Sequence, residues 1–218
     1  MNHIDGHGGR FVCVMPRSRK EDAEFRQWIQ THVPAWEQVR DLPHPRRRDG
    51  PRDCWSVLRH PLPSREGWPV LWVSSTLLAL HQESARRERL ARASQELHDL
   101  HAKLIGPRPR RRSRKEIQER IDAILQERRV RQHLVVEVVQ DEEHYFRQAA
   151  RGRPGPKTRY VRKTRRFWRL RWHVDEKAIA YERKSDGMYP LLTNDWTLTD
   201  AQVLDAHKRQ PMIEKRFE

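Results

Sequence analysis

The chain has 218 residues, 36% hydrophobic and 34% charged, and its 45 Lys and Arg outnumber 30 Asp and Glu for a formal net charge of +15. That length holds one good-sized domain or two small ones. The polar balance limits the core, yet eight Trp exclude a wholly disordered chain, since disorder goes with few aromatics.

The charge points to a polyanion as partner, by counterion release from phosphates. Cys13 and Cys54 form neither a disulfide framework nor a zinc spacing. The opening MNHIDGHGGR lacks an apolar leader, and no apolar run approaches the ~20 residues that span a bilayer. The expectation is a soluble, cytoplasmic protein without a membrane partner.

Arg10 to Met15 (RFVCVM) follows a Gly-Gly turn and predicts a buried strand. Glu21 to His32 predicts a helix with Phe25, Trp28 and Ile29 on one face. Pro34, Pro43, Pro45 and Pro51 then break a loop that carries Arg46, Arg47 and Arg48. Asp53 to His60 and Pro69 to Ser75 predict two strands joined by a turn at Ser64 to Gly67.

From Thr76 the period changes. Leu90, Ala93, Leu97, Leu100 and Leu104 form a three-four stripe that stops at Gly106-Pro107. Ser113 with Glu116 makes a capping box for a second helix, whose stripe is Ile117, Ile121 and Ile124. The stripes fit an antiparallel helical hairpin with RPRRRSRK at its tip, or a dimerising coiled coil. Fewer than three full heptads favours the hairpin.

Leu134 to Val139 predicts a strand, and His144 to Arg166 reads as a basic loop broken by Gly and Pro. In Phe167 to Val174, Trp168, Leu170, Trp172 and Val174 point one way, while Arg169, Arg171 and His173 point the other. Asp175 to Lys184 predicts a short helix and Met188 to Thr193 a strand. A last helix is capped by Thr199 and Gln202.

The first candidate site is the basic segment. Arg151, Arg153, Lys157, Arg159, Arg162, Lys163, Arg165, Arg166, Arg169 and Arg171 are interleaved with Tyr160, Phe167, Trp168 and Trp172. Arginine beside aromatic residues suits a surface that tracks a phosphate backbone and stacks on bases. A core role for the Trp residues fits the alternation as well. His3 with His7 and His98 with His101 have helical spacing but no further zinc ligands. RGRPGPK lacks the Gly-Lys-Ser/Thr ending of a phosphate-cradling loop.

The second candidate is Glu214. By itself, a carboxylate among Lys208, Arg209, Lys215 and Arg216 is a solvated helix charge. Its setting, DGMYPLLTNDWTLTDAQVLDAHKRQPMIEKRF, resembles the C-terminal signature of DDE-type insertion-sequence transposases. These are marked by Tyr, two residues, Arg, three residues, Glu, six residues and Lys. His207 stands at the Tyr position and Gln210 at the Arg position, and the Lys position lies past Glu218. HIDGHGGRFVCVMPRSRKEDAEFR resembles the segment just after the second catalytic Asp of the same group.

The resemblance implies an α+β chain: an incomplete RNase H-like transposase core with a mostly antiparallel β insertion domain and a protruding helical hairpin. Residues 1–20 would hold the last core strand. Residues 21–185 would be the insertion, with the hairpin at 76–132 and the basic strand region at 151–175. Residues 186–218 would hold the C-terminal strand and the glutamate helix.

Glu214 is then the catalytic, metal-binding glutamate, and both aspartates belong upstream of Met1. Two-metal phosphoryl transfer needs several converging carboxylates. The expectation is therefore a truncated transposase, inactive alone, that binds DNA; Mg²⁺ serves an intact relative and is not held by this chain. A full-length transposase or a second copy is a further partner. The local acids Asp5, Asp186, Asp195, Asp200 and Asp205 read as structural, with Asp186-Gly187 a turn and Asp200 a first-turn helix charge. Two other readings stand beside this one: a basic DNA-binding remnant that regulates a transposase, and a helical dimerisation protein.

Overall fold

A computed structural model describes residues 1–106 and 113–214, the last four of these as backbone only. In chain order its elements are α1 (Asn2–Gly6), β1 (Val12–Val14), α2 (Lys20–Trp28), β2 (Glu37–Leu42), β3 (Asp53–Arg59), β4 (Val70–Ser75), α3 (Thr76–Ile105), α4 (Arg114–Glu127), β5 (Leu134–Gln148), β6 (Tyr160–Val174), α5 (Glu176–Arg183), β7 (Met188–Thr193) and α6 (Asp200–Glu214). The α+β class expected from the sequence holds. The chain divides into two compact units, Met1–Ala85 with Ala180–Glu218, and Arg86–Ile179. Among the described residues, no helix is long and apolar enough to cross a membrane.

In the first unit, five strands form an antiparallel sheet in the order β1-β7-β4-β3-β2. β4 reads VLWVSS because both of its faces are covered, and a strand buried on both sides is a continuous apolar run. Val70 and Trp72 join Met15, Phe25, Ile29, Trp68 and Leu192 on one face. The Trp72 ring stacks on Phe25 with centroids 3.8 Å apart, a contact worth about 0.5–1.5 kcal/mol beyond its burial. Leu71 and Val73 join Trp55, Val57, Leu191, Val203 and Leu204 on the other face, under α6. Phe25 and Ile29 are buried as the helical spacing requires, whereas Trp28 stays 39% exposed.

The turn at Ser64 to Gly67 is present. Ser64 N donates to Trp68 O at 2.8 Å and Gly67 takes φ +84°. Gly187 also has a positive φ, +77°, and a Cβ there would stand 2.4 Å from the Ser75 carbonyl oxygen. Only glycine fits that approach of the turn to the end of β4.

One strand breaks the sequence reading. The segment read as a Pro-broken loop contains β2, which pairs with β3 through a bulge between Gln38 and Arg40. It is exposed along most of its length and carries Glu37, Arg40 and Asp41. Charge on an edge strand guards against pairing with other chains, and it erases the apolar alternation that would reveal the strand.

In the second unit, Ala93, Leu97, Leu100 and Leu104 of α3 meet Ile117, Ile121, Ile124 and Leu125 of α4 in one core cluster. Leu134 and Leu170 complete it, with Val136, Val138, Trp168, Trp172 and Val174 packed against it. The Ser113 box forms in full: Ser113 N donates to Glu116 Oε2 at 2.7 Å and Glu116 N to Ser113 Oγ at 3.2 Å. Of the basic tip read between the helices, residues 107–112 lie outside the described residues.

Candidate nucleic-acid interface

β5 and β6 form a two-stranded antiparallel ribbon with 15 registered pairs, from Leu134↔Val174 to Gln148↔Tyr160. The sequence predicts a loop over His144 to Arg166; most of it is strand. The unpaired tip is short, and it is closed by Ala149 N to Arg159 O at 2.9 Å and Gly155 N to Thr158 Oγ1 at 2.7 Å.

The ribbon has two halves of different character. The proximal half lays Leu170, Trp168 and Trp172 on the helical core, so these Trp side chains are packing residues. His101 also belongs here. Its Nδ1 accepts the Leu170 N–H at 3.1 Å and its ring meets Trp172, which accounts for it without a metal. Burial and the nearby Arg169 charge push its pKa down.

From Glu142 outward, nearly every residue on both strands is exposed. A bare two-stranded ribbon is marginal in water. Cross-strand contacts hold its root: Arg166 Nε donates to Glu142 Oε1 at 2.6 Å and His144 Nδ1 lies 3.0 Å from Thr164 Oγ1. The Arg165 and Arg169 guanidinium groups lie 5.5 and 5.8 Å from the Phe167 ring centroid.

Register decides which cations are available. Arg166 pairs with Glu142. Arg169 Nε lies 3.0 Å from Asp141 Oδ2, too bent for a hydrogen bond but close enough for an ion pair. Arg165 stands opposite Glu143, and Arg171 opposite Glu137. Four of the ten predicted binding residues therefore face acids that β5 supplies.

The other six are Arg162 and Lys163 on β6, and Arg151, Arg153, Lys157 and Arg159 at the tip. Arg147 on β5 joins them, and the sequence reading missed it. No acidic residue occurs between Glu143 and Asp175. Beyond the Glu143↔Arg165 pair the ribbon thus carries seven cations, none with an acidic partner within 4 Å among the described residues. Phe146, 70% exposed, and the half-exposed Tyr145 and Tyr160 are the aromatic residues of this half. Of these three, the sequence reading named only Tyr160. The adjacent Tyr145-Phe146-Arg147 was the available signal.

The first unit carries the second candidate. α6 opens with the expected box, Thr199 N to Gln202 Oε1 at 2.9 Å and Gln202 N to Thr199 Oγ1 at 3.3 Å. It lies on the sheet, and Gln210 Nε2 donates to the Val12 carbonyl of β1. Glu214 ends α6, and its side chain lies outside the described residues.

Beside α6 opens a cleft of about 1070 Å³ lined by Trp55, Tyr189, His207, Lys208, Arg46 and Arg47 among others. Lys208 Nζ sits 3.5 Å above the Trp55 ring centroid. Burial lowers the pKa of Lys208 and His207 and raises that of Tyr189. Tyr189 Oη and His207 Nδ1 are buried without a hydrogen-bond partner among the described residues.

The neighbouring acids are already engaged. Asp5 accepts from Asn194 Nδ2 at 2.8 Å and Trp68 Nε1 at 3.2 Å. Asp195 accepts from Arg10 and from Thr197 Oγ1 at 2.6 Å. Asp200 is held by Arg59 Nε at 2.6 Å, beyond the helix-end charge expected of it, and Asp205 by Arg40. Among the described residues, no three His, Cys, Asp or Glu side chains converge as a metal site. Neither protein-family models, curated proteins nor solved structures include a match to this chain.

Proposed function

We propose that the chain is a transposase-derived protein that binds duplex DNA through the distal ribbon and does not cleave DNA by itself. The observation that carries the binding is the register of the ribbon. It sets the inner cations opposite or beside acids of β5, with Arg166 and Arg169 in ion pairs, and leaves seven outer cations without an acidic partner among the described residues. Two-stranded ribbons enter duplex grooves, major or minor, and phosphate neutralisation supplies the affinity.

The transposase ancestry rests on the sequence resemblance. It is supported by a strand-to-capped-helix order at β7 and α6, with His207 lining a cleft beside that helix. In this reading β1, β7 and α6 are the edge of an RNase H-like core, and the second unit belongs to its insertion. Magnesium does not fit the acids described. Asp5, Asp195, Asp200 and Asp205 are each held by another side chain, which leaves Glu214 as a single ligand where two-metal chemistry needs several. The same surface fits a regulator that occupies element ends ahead of a full-length transposase.

A gel-shift series tests the reading. The full chain should retard a labelled duplex, and a variant with Arg147, Arg162 and Lys163 changed to Glu should not; equal retardation by both overturns the binding surface. Magnesium-dependent nicking of plasmid by the full chain, abolished by Glu214→Gln, would overturn the claim of inactivity.

A further inference from the structure

We infer that the arm does more than sit on the duplex: Phe146 is a wedge that unstacks a base step and kinks the DNA. This rests on the proposed duplex binding and adds its mode. Single exposed apolar residues are ordinary on protein surfaces, so exposure alone carries nothing. The setting of Phe146 is what matters.

It is 70% exposed, the most exposed ring of the arm. It stands in register directly opposite Arg162, and Arg147 follows it on the other face. Its same-face neighbours along β5 are His144 and Gln148, neither of which is apolar. Among the described residues it makes no ring contact. A largely exposed apolar ring beside cations, on a stretch without acids, matches a stacked base step flanked by phosphates. It matches a protein groove poorly, because such a partner would have to be strongly acidic around an apolar pocket.

Proteins that kink duplex DNA insert Phe, Leu, Ile or Met between base steps, usually from the minor groove, and bend it by about 20–90°. A two-stranded ribbon exposed on both faces can enter such a groove. Single-strand binders instead use a positively charged groove lined with stacking rings. The expected sequence preference is for pyrimidine–purine steps, which unstack most easily.

The experiment uses the full chain with a duplex of about 30 base pairs, the length over which bends of this size have been analysed. Donor and acceptor dyes mark its ends, and 2-aminopurine sits at a central TA step. Wild type should shorten the end-to-end distance and brighten 2-aminopurine. Phe146→Ala should lose both signals and weaken binding about tenfold, within the range for one lost aromatic–base stack, with an unchanged salt slope because no phosphate contact is removed. Phe146→Leu, still apolar, should retain most of the bend.

Binding to an unbent duplex by wild type, or equal bending by wild type and Phe146→Ala, overturns the wedge and leaves the DNA-binding reading intact. Absence of duplex binding by wild type overturns both. Thermal melting checks that the exposed Phe146 site tolerates both changes.

Discussion

The register of the ribbon makes a quantitative claim about salt. Its outer half runs over seven pairs, Glu142↔Arg166 to Gln148↔Tyr160, with the tip beyond them. At about 3.4 Å per residue that is roughly 24 Å, along which a duplex offers about 14 phosphates at one per ~1.7 Å. The seven free cations are thus outnumbered by sites. If all seven engage, the slope of log K against log salt is about −6 at ~0.9 per contact, and affinity falls some 10³- to 10⁴-fold between 50 and 200 mM salt.

Changing Arg147 and Arg162 to Gln should flatten the slope by about 2. Changing Arg166 and Arg169 to Gln should hardly alter it, because Glu142 and Asp141 already balance those charges. The converse change, Glu142→Gln, should release Arg166 and steepen the slope by about 1. Fluorescence anisotropy on one duplex across a salt series measures every slope. Equal flattening by the two double variants would refute the argument that register selects the contacts, and a wild-type slope near zero would refute phosphate binding by the arm.

Two further outcomes concern the first unit. Gly187→Ala puts a Cβ 2.4 Å from the Ser75 carbonyl at φ +77°; thermal melting should show a loss of about 1–3 kcal/mol, and no loss would mean the turn is free to move. Glu21 is held by Arg19, which also pairs with Glu66 at 2.6 Å. The hydrogen bond from Arg19 lowers the Glu21 pKa from 4.5 to about 2. A pKa lowered in the folded state stabilises above the unfolded value and is lost as pH falls through the folded one. The stability gap between wild type and Glu21→Gln should therefore be full near neutrality and close between about pH 4.5 and 2; a gap that widens on acidification contradicts the pairing.

Elements that bury one face or both were legible in the sequence. β4 showed as an apolar run, α3 and α4 as stripes ending in Gly-Pro and opening in a capping box, and the proximal part of β6 as alternating Trp and Arg. Elements that bury neither face were not. β2 and the distal ribbon give no apolar period, because both faces are largely exposed, with Val39 alone of β2 packed on the core. The available cations were misjudged for a related reason. Which arginines meet acids depends on a pairing across strands separated by the tip, and composition does not contain register. The partition into units was hidden by range, since β4 finds β7 only across the whole second unit.

That long detour has a consequence during synthesis. β7 lies between β1 and β4 in the sheet, so both strands leave the ribosome with their inner edges unmatched. Roughly 110 residues must be translated before their common neighbour emerges, a wait of about 5–25 s at about 5–20 residues per second. The inserted unit is continuous in sequence and can close its core during that interval. Until then Leu71, Trp72 and Val73 wait without the strand that pairs along that edge.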